Sequence, residues 1–485
     1  MGRLIVLNCT PMRKEESEPA GTEEPCDLPA TELARLLRGR QLSAREAVTA
    51  HLARLERTNG LINAVVTVTA EAALRAAARA DDHLAGPGGT PLGPLHGLPV
   101  VHKDLQDTAG VRTTYGSPLY AAHVPAASSP LVARVAAAGA ISLGKSNTPE
   151  FGAGSHTYNP VFGPTRNPWD PTRSAGGSSG GAAAALAAGM VPLADGSDMG
   201  GSLRNPASFC NVFGFRPSVA LLPPEPAERG LAGLSVDGPM ARGVDDALLL
   251  LEVLTAGSLP AAAVAHLDDL RGRRIAWCPR PGGVPVDPAV RAALAPVPDL
   301  LVALGAEVVE DGPDLAGADE VFGTLRAWSF ATSLATEYAQ HRDALKPEVV
   351  WNVELGRRLR GADLARALRV RADLVRRVDA WMSGFDALAL PAAQVAPFPV
   401  GEAWPTVVDG TPMGSYLDWM RACTLVSATG LPAASVPFAF TAAGLPVGLQ
   451  LAGRRGGDAA LLAVAGLVER AAGASRRRPP LPGAG

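Results

Sequence analysis

Two glycine-serine loops concentrate the residues most able to do chemistry: Gly176-Gly177-Ser178-Ser179-Gly180-Gly181 and Met199-Gly200-Gly201-Ser202-Leu203-Arg204. Ser178 and Ser202 stand 24 residues apart, with an alanine helix and a short strand between them. A helix followed by a returning strand can bring both loops to one edge of a sheet. A serine hydroxyl there becomes a nucleophile once a base lies beside it. Taken singly, each loop reads equally well as a flexible or tight turn. Other chemistries fit less well. No lysine follows the glycines, as a phosphate loop requires. The string Gly176-Gly177-Ser178-Ser179-Gly180 matches G-x-S-x-G, but a nucleophile elbow follows a buried strand. Here Asn167-Pro168-Trp169-Asp170-Pro171 precedes it, and downstream only His266 and His341 remain to complete such a triad. The eight histidines are scattered, with no H-E-x-x-H or Cys/His pair at metal-ligand spacing.

The elements around these loops read as alternating strands and helices. Leu98 to His102 is an apolar run, a buried strand leading into Lys103-Asp104. From the residues alone, that lysine is a surface group paired with Asp104. A helix over 130–138 and a strand over 140–143 follow, then a long loop over 163–181, a helix over 181–189 and a strand over 191–194 that feeds the second loop. Upstream, Ser43-Ala44-Arg45-Glu46 is a capping box that opens a helix, and 70–84 forms another. Downstream come an exposed connection over 218–233 and helices over 245–254 and 287–304. Strands over 274–277 and 307–309 precede an almost wholly helical block over 318–383, which holds Trp328, Trp351 and Trp381. Strands over 387–390, 434–438 and 447–451 and a helix over 458–472 complete the chain. This alternation predicts an α/β sandwich around one mostly buried mixed sheet. Residues 1–27 read as a flexible arm and 475–485 as a flexible, solvated tail.

Composition narrows the function classes. The chain has 485 residues, with 44 Lys and Arg against 47 Asp and Glu, a net charge of −3. Proteins that grip nucleic acid or anionic membranes carry a basic excess or stripe, so neither partner is expected. The 53 glycines and 43 prolines follow no repeat period and imply many loops and close backbone approaches. Five cysteines, Cys9, Cys26, Cys210, Cys278 and Cys423, are odd in number and far apart, which excludes a disulfide framework and points to a reducing, cytoplasmic setting. The apolar stretch near the N-terminus is too short for a secretory signal. The small-apolar run from Ala182 to Ala188 falls well below the ~20 residues that span a bilayer.

The wider context gives the two loops a shared meaning. Leu95-His96-Gly97-Leu98-Pro99-Val100-Val101-His102-Lys103-Asp104, the Gly176 loop, and Gly196-Ser197-Asp198-Met199-Gly200-Gly201-Ser202-Leu203-Arg204-Asn205-Pro206 occur in this order. With Asn147-Thr148-Pro149-Glu150-Phe151, Asn167-Pro168-Trp169, Gly238-Pro239-Met240 and Leu445-Pro446-Val447-Gly448-Leu449-Gln450, they closely resemble the amidase signature family of serine hydrolases. The resemblance covers about residues 28–474 and implies one α/β domain built on a large, twisted, mixed sheet covered by helices. The chain departs from the pattern at Ala182, where serine is frequent, at Asn211, where glycine is common, and at His102, where a small or apolar residue is usual.

The resemblance implies a Ser-Ser-Lys triad: Ser202 as nucleophile, Ser178 after a cis peptide bond as proton relay, and Lys103 as base. A lysine serves if burial keeps it neutral. The oxyanion is expected against backbone N–H groups of Met199, Gly200, Gly201 and Ser202, with Asp198 and Arg204 bracing the loop. No metal or organic cofactor is implied. The expected activity is hydrolysis of amide C–N bonds in small molecules through an acyl-enzyme, on apolar or aryl amides, with esters and carbamates as further substrates. A homodimer is left open. The alternative is the glutaminase subunit of a tRNA-dependent amidotransferase. The substrate pocket is expected around Trp328 and Trp351 and near Tyr115 and Tyr158.

Overall fold

The apolar run that leads into Lys103 and the run over 191–194, whose strand extends through Asp195 to Asp198 where the sequence reads as loop, become neighbouring strands inside an eleven-stranded mixed sheet. A computed structural model describes residues 24–222 and 234–481. The apolar N-terminal stretch, most of the expected arm, much of the 218–233 connection and the last four residues lie outside them. The strands are β1 (Val65–Val68), β2 (Pro99–Lys103), β3 (Ile141–Ser146), β4 (Leu193–Asp198), β5 (Phe213–Arg216), β6 (Val236–Ala241), β7 (Arg274–Trp277), β8 (Glu307–Glu310), β9 (Ala387–Pro391), β10 (Ala433–Phe440) and β11 (Pro446–Ala452). Their spatial order is β1-β3-β2-β4-β6-β5-β10-β11-β9-β7-β8. Strand β2 lies parallel to both β3 and β4, whereas β4, β6, β5, β10, β11 and β9 pair antiparallel in turn. Every residue of β2, β9 and β11 is buried, as expected of strands covered on both faces.

The helices of the described residues are α1 (Ala30–Arg38), α2 (Ala44–Ile62), α3 (Ala70–Ala85), α4 (Pro130–Ala137), α5 (Gly180–Ala187), α6 (Arg204–Cys210), α7 (Val244–Leu254), α8 (Pro288–Leu294), α9 (Val297–Ala303), α10 (Ala318–Ser333), α11 (Ala335–His341), α12 (Pro347–Arg357), α13 (Gly361–Met382), α14 (Arg421–Thr429) and α15 (Asp458–Ala472). The capping box before α2 forms as expected: Ser43 accepts from the Glu46 N–H and Glu46 returns a bond to the Ser43 N–H. None of these helices is long and apolar enough to cross a membrane.

Three departures from the sequence reading have physical causes. The helix expected over 287–304 is two, α8 and α9, because Pro296 and Pro298 cannot both continue one hydrogen-bond ladder. Strand β6 escapes a pattern reading because Gly238 and Pro239 sit inside it. The C-terminal segment, as far as it is described, lies against the body instead of standing in solvent. The Arg477 guanidinium covers the Phe440 ring at 3.6 Å, a cation–π contact, and Leu481 is buried.

Helix α5 carries the first glycine-serine loop at its start, and small side chains let it sit close to the sheet. All eight of its residues are buried. At Gly181 an added Cβ would lie 2.2 Å from the Asn147 backbone nitrogen and 2.7 Å from the Ala64 carbonyl oxygen. Both obstacles are backbone and cannot swing aside. Gly181→Ala is therefore expected to destabilise the protein by about 2–3 kcal/mol, read as a lower midpoint in urea denaturation, and to lower turnover by displacing the loop that carries Ser178.

Candidate active site

Lys103 closes β2 with its side chain fully buried. Its ammonium nitrogen lies 2.7 Å from Ser178 Oγ, 2.9 Å from Ser179 Oγ and 3.0 Å from Ser197 Oγ. Asp104 is not its partner: that carboxylate accepts from the N–H and hydroxyl of Thr114. Burial pushes the Lys103 pKa down to about 7, against the opposing pull of the carboxylates of Asp237, Asp198 and Asp195. Charge is costly in a dry site, so the neutral amine becomes the larger population above about pH 7. Ser179 and Ser197 belong to the same glycine-serine strings as the expected residues, but their contact with Lys103 depends on the sheet that joins β2 to β4.

The two loops meet as the sequence suggests. Gly177–Ser178 is a cis peptide bond. The Ser179 N–H donates to the Ser202 carbonyl at 3.2 Å, tying one loop to the other. Ser178 is 3% and Ser202 8% exposed, so the latter keeps the wider opening. Ser202 Oγ has no hydrogen-bond partner among the described residues.

The expected oxyanion cradle of Met199, Gly200, Gly201 and Ser202 needs one correction. The Gly201 N–H donates to Asp198 Oδ1 at 2.7 Å and is not available to a ligand. The N–H groups of Met199, Gly200 and Ser202 have no partner among the described residues. Gly201 serves the cradle otherwise. Its φ is +117°, and an added Cβ would lie 2.6 Å from the Cys423 Cβ, so only glycine fits the turn.

Asp198 and Arg204 brace this turn from inside the core, both with fully buried side chains. Arg204 forks onto Asp198, Nε to Oδ2 and Nη2 to Oδ1, both at 3.0 Å. Its remaining donors reach Gln450 Oε1 at 2.6 Å and Ser427 Oγ at 2.7 Å. Arg216, absent from the sequence reading, adds contacts to the Asp198 carbonyl and carboxylate. Burial would raise the Asp198 carboxyl, but Arg204 and Arg216 outweigh it and hold the group well below the usual carboxylate range. The carboxylate also accepts the Leu203 N–H at 3.1 Å, so one anion shapes the turn on both sides of Ser202.

The helical block reaches the Ser202 loop through a phenylalanine and an arginine. An added Cβ on Gly200 would lie 2.6 Å from Phe322 Cζ. Phe151, Phe330, Leu334 and Leu345 cluster with Met199. Arg326 donates to Met199 Sδ at 3.1 Å and to the Tyr416 hydroxyl at 2.6 Å. Trp351 is 37% exposed, and its ring lies 5.9 Å from that of Tyr416. Trp328 is half-buried against the main core. Trp381 lies elsewhere, bonded to Asp311. Tyr115 stands 6.4 Å from Phe151, ring to ring, and the Tyr158 hydroxyl donates to Glu348 on α12. A separate cleft of about 260 Å³, lined by Thr31, Arg242, Asp245 and Arg470 among others, contains none of these residues. Among the described residues no group of three or more His, Cys, Asp or Glu side chains could hold a metal ion.

Comparison with known proteins accords with this geometry. The amidase family model matches residues 46–462. The chain is 34% identical to an acylamidase of Rhodococcus erythropolis over 460 residues, covering 91% of this chain and 95% of that one. It is 36% identical to a glutamyl-tRNA(Gln) amidotransferase subunit of Moorella thermoacetica over 491 residues, covering 94% and 98%. A bacterial aryl acylamidase of the amidase signature family superposes with a TM-score of 0.83 at 28% identity, over 92% of this chain and 96% of that one. The mixed sheet, the helices that cover it and the match across most of the chain lead to one assignment: the chain belongs to the amidase signature family, hydrolases that act on amide bonds.

Proposed function

We propose that Ser202, Ser178 and Lys103 act as a Ser-Ser-Lys triad that hydrolyses small apolar or aryl amides. The observation that carries this reading is a buried lysine, its pKa pushed down to about 7, bonded to Ser178 at 2.7 Å. Neutral Lys103 accepts the Ser178 proton while Ser178 Oγ takes the proton of Ser202, and Ser202 Oγ attacks the amide carbonyl carbon. The oxyanion so formed faces the N–H groups of Met199, Gly200 and Ser202, each worth about 3–4 kcal/mol in comparable sites. As the C–N bond breaks, the leaving nitrogen takes a proton from Ser178, which is resupplied by the Lys103 ammonium. Water then attacks the acyl-enzyme by the same relay and frees the acid and Ser202. Catalytic hydrogen bonds are often open without substrate and tighten on binding, which accounts for the unpaired Ser202 hydroxyl.

Aryl or apolar acyl groups suit walls built from Phe151, Phe322 and Phe330 beside Met199, and the likeness to an acylamidase and an aryl acylamidase supports the same class. The acyl-enzyme route needs only a carbonyl and a protonatable leaving group, so esters and small carbamates fall within reach. The second reading, a glutaminase that works with partner chains, is favoured by the 36% identity to the amidotransferase chain. The isolated protein is expected to cleave a nitroanilide faster than glutamine. Glutamine turnover that appears only when the other amidotransferase subunits are added would replace the first reading with the second.

Two further outcomes test the triad. Ser202→Ala abolishes turnover with the fold retained by circular dichroism, and a fluorophosphonate labels Ser202 in the wild-type chain but not this variant; label on Ser178 would revive the G-x-S-x-G reading. Lys103→Ala lowers kcat/KM by about 10²–10⁴-fold. The base works only when unprotonated, so wild-type kcat/KM climbs with pH through the Lys103 pKa of about 7 and levels off above it. A flat profile from pH 5 to 9, or near wild-type rates in Lys103→Ala, would remove the lysine from this role.

A further inference from the structure

Beside Lys103 stands a polar pair to which the proposed mechanism gives no task. Strands β2 and β4 run parallel with Val100 opposite Leu193 and Val101 opposite Ala194, which brings His102 and Asp195 side by side. Their side chains are 3% and 2% exposed. His102 Nδ1 lies 2.5 Å from Asp195 Oδ2, while Asp195 Oδ1 accepts the backbone N–H of Lys103 at 2.9 Å. One carboxylate thus holds both a buried imidazole and the backbone of the lysine. Burying two such groups at the centre of a sheet is costly unless each is satisfied by the other.

The charges around Lys103 come from every neighbouring strand. On β4, Asp198 is engaged by Arg204 and Arg216. On β6, Asp237 accepts from Gln106 at 3.0 Å. On β3, in register with His102, lies Lys145, a second buried lysine bonded to Gln106 and Thr108. Burial lowers its pKa to about 8, while Asp104, Asp195 and Asp107 pull the other way. Asp195 is therefore the anion that both buried lysines share.

We infer that His102 and Asp195 are positioning residues that set the basicity of Lys103: Asp195, bound to the lysine's own backbone, places a negative charge behind the amine, and His102 holds that carboxylate in place. An anion close to an amine favours its protonated form. Without that anion only Asp237 and Asp198 would oppose burial, and Lys103 would be a feebler proton acceptor. The inference rests on Lys103 being the base.

The test is the pH dependence of Ser202 inactivation by phenylmethanesulfonyl fluoride, which needs no knowledge of the substrate. Wild type is expected to show an acid limb that Lys103→Ala abolishes; if no such limb exists, the triad reading itself fails. Given the limb, Asp195→Asn keeps an acceptor for the Lys103 N–H but removes the charge, and is expected to move the limb down by roughly one pH unit. His102→Gln, which retains an N–H donor, leaves the limb in place, whereas His102→Leu moves it in the direction of Asp195→Asn. The two histidine variants decide the matter if Asp195→Asn does not fold. A uniform loss of rate with the limb unmoved in Asp195→Asn and His102→Leu would reduce the pair to a structural anchor and overturn the inference.

Discussion

Desolvation of the Lys103 amine sets the terms for the elements around it, because a lysine can accept a proton near neutrality only if its charged form is made costly. A carboxylate in direct contact would undo that cost and hold the ammonium. The three hydrogen-bond partners at Lys103 Nζ are serine hydroxyls, which satisfy the nitrogen in either protonation state. The nearby acids are held at one remove. Asp198 is occupied by two guanidiniums, Asp195 by a histidine and a backbone N–H, and Asp104 by Thr114. The fully buried strand β2 keeps water from relieving that balance.

The same division explains the second buried charge cluster. Taking a carboxylate and two guanidiniums out of water costs several kcal/mol per ion, and an imperfectly paired member would be strongly destabilising. Arg204 meets the demand by directing its donors to Asp198, Gln450, Ser427 and the Cys423 carbonyl, whereas Arg216 keeps Nε and Nη2 without a hydrogen-bond partner among the described residues. These partners come from β4, β11 and α14, so the turn around Ser202 is fastened to parts of the chain that lie more than 200 residues away. Ser202 is placed by the whole sheet rather than by its own loop.

That dependence marks where sequence reading succeeds and where it stops. The glycine-serine strings are legible because tight turns restrict residue type locally, and β2, β9, β10 and β11 are legible as apolar runs between turn residues, whereas the polar half of β4, Asp195 to Asp198, reads as loop. Strand β6 is hidden by Gly238 and Pro239, and the break between α8 and α9 is present in Pro296 and Pro298 but masked by the helical spacing around them. Gly201 enters the expected oxyanion cradle through the family resemblance; which N–H groups stay open is decided by where Asp198 points. Arg216, Asp195 and Arg326 carry no local signature, since their roles arise from partners on other elements.

The contacts of Phe322 with Gly200 and of Arg326 with Met199 have a consequence for how such a protein changes over generations. Lys103, Ser178 and Ser202 all come from the stretch 99–216, whereas Phe322, Arg326, Phe330 and Trp351 belong to α10 and α12. The two stretches meet at the rear of the nucleophile loop through a small set of side chains. Replacement of Phe330 changes what packs against Met199 without touching Lys103 or the anion that braces Ser202. Under the proposed triad, a lineage can therefore alter the surroundings of the Ser202 loop through intermediates that all keep Lys103, Ser178 and Ser202 in place.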